Sequence, residues 1–487
     1  MDPSRRAFLS FKSLIASLAQ VNTTSPRQVG GEIHHLLNRI SYGPRPGDVA
    51  RVAEVGIEAT IEQQLNPETI DDSLIAERLK MLPILSMNRR ALYSSEGLEY
   101  RAILSLQQGM IERAVHSERQ LFERMAEFWS DHFNVPAAED LGLEVVSYQR
   151  DVIRRHALGS FRDLVLATAK HPAMLIYLDN YLNVAEHPNE NYARELMELH
   201  TLGVDGGYTE EDVVEVARAF TGWTIDERTE DGFVFNPEVH DSDTKTILGH
   251  QMPAGRGIED GLHVISMLVT HPATARTISF KLCRRFVSDS PPASLVESTT
   301  EVFRATSGNI KAVMRHILNS DEFWTSPGQK FRRPLDFLIA ALRATGTNVR
   351  ERWAYQMLFD AIGQSPFGWL PPDGAPDTAD RWLTTNGLLN RWNVANTLTH
   401  GALSEMESPF RADLFAQIGQ PATVGDLVDT IATQVYAASL PETERNALVA
   451  FVSDQAGPDL PVTRHLLARK LGSLYALMLA SPLFQWR

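Results

Sequence analysis

Cysteine is almost missing: Cys283 is the only one in 487 residues. That excludes an intrachain disulfide and any thiolate-based zinc site. Long apolar runs are missing as well. None reaches the ~18 residues that a spanning helix needs, so no transmembrane anchor is expected in the mature chain. Positive charge is in deficit, with 46 Lys+Arg against 61 Asp+Glu and a formal charge of −15 with neutral histidines. A dedicated nucleic-acid binder carries the opposite field, so no nucleic-acid partner is expected. There is no Walker loop, Rossmann glycine fingerprint, Gly-x-Ser-x-Gly elbow or His-Glu-x-x-His, which disfavours those enzyme classes. What remains is the composition of a globular protein, 43% apolar and 22% charged, with ample material for a large core.

Residues 1–30 differ from the rest. Arg5, Arg6, Lys12 and Arg27 face only Asp2, so this segment is positive in an acidic chain. The run Ser4–Ser10, SRRAFLS, resembles a twin-arginine export signal, with Phe8 and Leu9 behind the arginine pair. A short and only moderately apolar stretch follows, interrupted by Lys12 and lacking a clean small-residue cleavage site. Export to the periplasm or beyond is the expectation. The alternative is an amphipathic N-terminal arm on a cytoplasmic protein.

Most of the remaining chain has helical periodicity. Leu121, Phe122, Met125, Phe128, Trp129, His132 and Phe133 recur at three- and four-residue spacing and define one buried stripe. Thr209 followed by Asp212 resembles a capping box and predicts a helix starting there, with Val213, Val216, Ala217 and Phe220 inward. Further helices are predicted over roughly 145–170, 259–270, 273–288, 297–306, 309–320, 331–345, 353–363, 383–400, 424–436, 442–454 and 462–481. The fold class is therefore mainly α, a single large multi-helix domain over 31–487. One segment departs from this. Residues 224–250 are rich in turn formers, with β-prone pieces at FVF and TIL, and predict a small hairpin-like excursion. A second long loop runs from Pro366 to Asp380; inserts of this length usually serve a site or are disordered. His171 and His271 each open a His-Pro-Ala run after a helix end. Two similar helix junctions with proline in the first turn are the favoured reading, over paired metal histidines.

Several of these runs occur together in one order: HLLNRISYGPRPGDV, ERMAEFWSDHFNV, the stretch over 148–180, NENYARELMELHTLGV, YTEEDVVEVARAFTGWT, FNPEVHDSDTKTILG and HPATARTISFKLCRRFV. In that order they resemble the bacterial family catalogued as domain of unknown function 1800, from about residue 31 to the C-terminus. The resemblance implies export and a co-exported partner from a second uncharacterised family, numbered 1501. It brings no established reaction. The family's aromatic-His run is closer to Trp-His-Asn-His-Phe. Here it is Trp129-Ser130-Asp131-His132-Phe133, so Ser130 stands where the first histidine would be.

Three places have side chains suited to chemistry. His132 lies on the apolar stripe, while Glu123, Glu127 and Asp131 follow another face at four-residue spacing. A buried imidazole near carboxylates is either a ligand or proton carrier, or a satisfied core residue. Asn191, Arg194, Glu195 and Glu198 share one strip of a helix, with Glu190 and Glu198 each four residues from Arg194; this is either an ion-pair ladder or the carboxylate wall of a metal site. His240 and Asp241, with Asp243 and Lys245, form either a solvated turn or a ligating loop. The basic cluster Lys281, Arg284 and Arg285 is expected to pair internally. Two function classes follow. One is a metal-dependent hydrolase or oxidoreductase, with a divalent metal on His132, Glu195 and Glu198 and catalytic roles for His132, Arg194, His240 and Asp241. The other is a non-catalytic scaffold for a co-exported protein.

Overall fold

The apolar stripe counted from Leu121 becomes the buried face of a helix, Gln120–His132, around which the rest of the chain is arranged. The computed structural model describes residues 31–138, 141–404 and 407–487. The expected export leader, 1–30, lies outside the described residues. Helices dominate, and their bounds follow the sequence periodicity closely: Glu259–Thr270, Pro272–Phe286, Ile310–Leu318, Pro334–Thr345, Arg352–Ile362, Thr385–Ala402, Val424–Tyr436 and Arg464–Ala480. No helix among the described residues is long and apolar enough to cross a membrane.

Local signals act as their chemistry requires. The Thr209 hydroxyl accepts from the Asp212 amide and the Asp212 carboxylate accepts from the Thr209 amide, closing a capping box on Glu210–Ala219. His171 and His271 are N-caps. Their Nδ1 atoms accept the amides of Ala173 at 3.1 Å and Ala273 at 3.2 Å, with Pro172 and Pro272 in the first turn. These histidines are used up by helix junctions.

The stretch expected as one helix over 145–170 is divided. Gly142–Ser147 runs into a π-helical segment, Tyr148–Arg154, and a new helix, Phe161–Lys170, starts at the Ser160 cap. A second π-helical segment, Leu196–Thr201, ends the helix that starts at Glu190. Each π turn accommodates an extra residue and redirects backbone carbonyls, and such turns concentrate at functional sites.

The 224–250 excursion holds two antiparallel pairs where one hairpin was expected. Trp223–Ile225 pairs with Phe233–Phe235, and Lys245–Ile247 pairs with His250–Met252. The excursion is not a protruding arm, because Trp223, Lys245 and Ile247 are buried. A third short pair, Asn348–Val349 with Phe410–Arg411, has no counterpart in the sequence expectations.

Apolar side chains collect into two cores. One spans Leu36 to Phe323; the other is built mainly from Leu335 to Phe484, with Ile111, Ala114 and Val115 of the Glu99–His116 helix. Buried ions join elements of both. Asp336 holds Arg124 at 2.7 Å and Arg487 at 3.4 Å; Asp377 holds Arg285 at 3.1 Å and Lys330 at 3.2 Å. Such arrays add little net stability over apolar packing, but removing one partner is costly.

Candidate functional site

His132 faces the aromatic side of its helix. Its ring meets Phe133 edge-on at 4.5 Å, Trp129 at 5.4 Å and His200 at 5.9 Å between centroids. Nε2 lies 3.1 Å from the His200 carbonyl oxygen, which can only accept, so Nε2 carries the proton. Nδ1 then offers its lone pair to the Lys281 ammonium at 3.2 Å. Lys281 also donates to the Leu199 carbonyl at 2.9 Å. The two side chains thus cap carbonyls that the 196–201 π turn presents, and neither ring nitrogen is free for a metal. Burial, and then the Lys281 charge, hold His132 well below the usual imidazole range. Burial pushes Lys281 down to about 8.

The other expected ligands face elsewhere. Arg194 is held by Glu210 at 2.7 Å and Glu190 at 3.2 Å, near the surface, and orients neither Glu195 nor Glu198. Glu198 accepts from the Tyr208 hydroxyl at 3.4 Å. Burial and the Glu198 charge raise Glu195. His240 is buried in the excursion, with Nδ1 donating to the Thr221 carbonyl at 2.8 Å and Nε2 lying 3.5 Å from Asp260. Asp241 is bound by Arg218 at 2.7 Å, and Lys245 by Asp260 at 2.9 Å. These groups pin the excursion to the helix beneath it. Among the described residues, no three His, Cys, Asp or Glu side chains are grouped as a metal ion requires. The structure therefore does not bring His132, Glu195 and Glu198 together as a ligand set, and His240 and Asp241 belong to a separate cluster.

The cavity lies on the opposite face of the same helix. About 490 Å³ is enclosed among the Glu99–His116 helix, the Gln120–His132 helix, the 148–154 π segment and the 363–382 loop. The four-residue acidic row lines it: Glu123, Glu127 and Asp131, with Ser130, Asn134 and Gln149 beside them. Phe359, Phe367, Trp369 and Trp382 supply an apolar wall, and the two tryptophans meet at 6.4 Å and 65°.

Each carboxylate in the row has a different environment. Glu123 takes both Nη atoms of Arg154, at 2.6 and 2.7 Å. Glu127 is surrounded by Arg333, Arg285 at 2.8 Å and Arg124 at 3.1 Å, and accepts from the Tyr42 hydroxyl at 3.0 Å. Asp131 is anchored through one oxygen only, Oδ2, which holds Arg333 at 2.6 Å. Oδ1 accepts no hydrogen bond among the described residues, and 29% of the side chain is open to the cavity. Burial raises its carboxyl, Arg333 opposes this and the Glu127 charge adds to it, so the group sits above the ordinary carboxylate range.

The roof is the Pro/Gly-rich loop flagged in the sequence. Asn134 Nδ2 donates to the Trp369 and Pro371 carbonyls, both at 2.8 Å, and the Ala137 amide donates to the Phe367 carbonyl at 2.8 Å. Phe367 sits at φ +57°, which is costly for a bulky residue and persists only where its surroundings impose it. Sequence reasoning missed Arg113, Arg154 and Arg333 as walls or supports, whereas Arg285, expected to pair internally, does so with Glu127 and Asp377. Arginine carries no periodic signal of its own. The one usable clue was the row 123–127–131, which the spacing set on another face from His132 without marking it as a site.

No curated protein and no solved structure matches the chain. The family match runs over residues 35–486, nearly the whole sequence. The protein thus belongs to the family described as protein of unknown function, DUF1800.

Proposed function

We propose that the protein is an enzyme in which Asp131 transfers a proton to or from a small organic molecule held in the 490 Å³ cavity, in a hydrolytic reaction. The observation that carries this is the asymmetry of Asp131: one oxygen fixed on Arg333, the other unbonded and facing the cavity, with the carboxyl held above its usual range. A positioned carboxyl of this kind contributes ~10²–10⁴-fold by general acid–base catalysis. The aromatic wall supplies the apolar contact area that small-molecule sites use, and the Ser130, Asn134 and Gln149 side chains supply orientation. The test is turnover of a panel of chromogenic 4-nitrophenyl esters, glycosides and phosphates by wild type and Asp131→Asn. Turnover of at least one substrate, lost by ~10²-fold or more in the variant, is the expected result. An inert wild type, or a fully active Asp131→Asn, removes the reading.

We further propose that the protein acts after twin-arginine-type export. Support comes from the Arg5-Arg6 pair followed by Phe8-Leu9 in a positive leader of an acidic chain. A fusion of residues 1–30 to a reporter active only outside the cytoplasm tests it, and a silent reporter counts against export.

A second reading, docking to a co-exported protein of the family numbered 1501, is favoured by Trp353 and Met357. They are large, apolar, exposed and one turn apart on the Arg352–Ile362 helix. Co-purification of the two exported proteins, abolished by Trp353→Glu, is its test.

A further inference from the structure

Several interior arginines have carboxylate partners. Arg124 meets Asp336 at 2.7 Å, Arg154 meets Glu123 at 2.6 Å, Arg285 meets Glu127 at 2.8 Å, Arg333 meets Asp131 at 2.6 Å and Arg343 meets Asp48 at 3.1 Å. Arg113 is different. It projects from the Glu99–His116 helix into the wall of the cavity, and its guanidinium makes no hydrogen bond or ion pair among the described residues. Burial and the nearby Arg154 charge lower it to about 10, so it remains cationic at neutral pH.

Its position has a second distinction. A cavity of about 340 Å³ lies on the far side of the wall, lined by Asp71, Asp72, Leu79 and Arg119. The two cavities share three residues, Arg113, Glu123 and Arg154. Arg154 takes up Glu123 bidentately, so Arg113 feels the Glu123 and Asp72 charges at a distance but is bonded to neither. Of the two aspartates lining the smaller cavity, Asp72 accepts from the Ser117 hydroxyl and the Glu118 amide, both at 2.8 Å, and Asp71 from the Ser73 amide at 3.0 Å. A half-buried guanidinium with no protein acceptor keeps its donors available, and five N–H groups in a planar fork match a carboxylate or phosphate.

We propose that Arg113 binds an oxyanion group, carboxylate or phosphate, of the molecule that occupies the cavity. The substrate class is then an organic acid or phosphate ester, its anionic end at the Arg113 partition and its apolar part against Phe367, Trp369 and Trp382. This rests on the cavity being the ligand site, but it does not depend on Asp131 chemistry.

The test uses thermal unfolding of the full chain at constant ionic strength, with sodium phosphate or sodium acetate replacing sodium chloride. For wild type, one or both anions raise Tm by ~1 °C for each tenfold increase above the Kd. Which anion acts identifies the class. Arg113→Met shows no anion response. Arg113→Lys keeps a reduced response. No response in wild type or an undiminished response in Arg113→Met would each overturn the proposal. Asp131→Asn retains the anion response, so failure of the catalytic reading and failure of the anion site are told apart.

Discussion

Gly374 lies directly against the backbone carbonyl of Asp131, so close that a Cβ on residue 374 would overlap that oxygen. The contact joins the roof loop to the helix end that presents Asp131 and its unbonded oxygen. Residue 374 also sits at φ +75°, which an L side chain adopts reluctantly. Gly374→Ala is therefore expected to lift the loop off Asp131 and cost ~2 kcal/mol of stability through strain and clash. Ligand affinity should fall further than stability does. Denaturant unfolding together with Trp369 and Trp382 fluorescence measures both, and unchanged fluorescence with unchanged stability would show that the loop does not rest there.

The pH dependence of turnover should follow Asp131. A raised carboxyl pKa keeps the acid form present above the ordinary carboxylate range, and that form is lost as pH rises through the folded-state pKa. If Asp131 is the acid, kcat/KM declines on the alkaline side of that value. Glu127→Gln removes the neighbouring negative charge and leaves Arg333 to favour the carboxylate, so the decline moves to lower pH. A limb that stays in place in Glu127→Gln assigns it to another group.

Glu127 also carries a structural load. Arg124, Arg285 and Arg333 all converge on it in a buried setting. Glu127→Ala leaves those guanidiniums facing one another and should destabilise by ~3–5 kcal/mol. Arg194→Ala, whose partners Glu190 and Glu210 lie near the surface, should cost no more than ~1 kcal/mol. Urea denaturation of the two variants compares them directly.

Acid should weaken the fold through buried neutral histidines. Burial lowers both His171 and His200 to about 3. The unfolded chain takes up protons below about 6.5 while the native state does not, so stability is lost as pH falls from there toward 3. Each such group contributes a slope of ~1.4 kcal/mol per pH unit. His171→Asn keeps an N-cap acceptor for the Ala173 amide and deletes the titration, so its stability should fall with one proton less of slope. An identical slope in the variant would mean that His171 ionises in the folded protein.

Much of the fold was legible along the chain. The Thr209 capping box, the His171-Pro172 and His271-Pro272 junctions and the long amphipathic stretches depend on neighbours within one or two turns. Such short-range interactions leave a periodic trace. The π segments at 148–154 and 196–201 left none; in the second, tertiary contacts from His132 and Lys281 take up the 200 and 199 carbonyls. The row Glu123, Glu127, Asp131 was visible as spacing but not as a site, since its arginine partners come from positions 154, 285 and 333.

By itself, the sequence determined helix content, the main helix bounds, the family and the existence of a long loop after Pro366. Each of these is encoded by local propensity, capping and composition. The tertiary structure decided which face of the 120–132 helix meets a cavity. It turned His132 into a carbonyl cap and left Asp131 and Arg113 with unsatisfied bonding capacity. That outcome depends on how two separate cores approach each other and on which distant guanidinium reaches which carboxylate, geometry that no nearest-neighbour pattern contains.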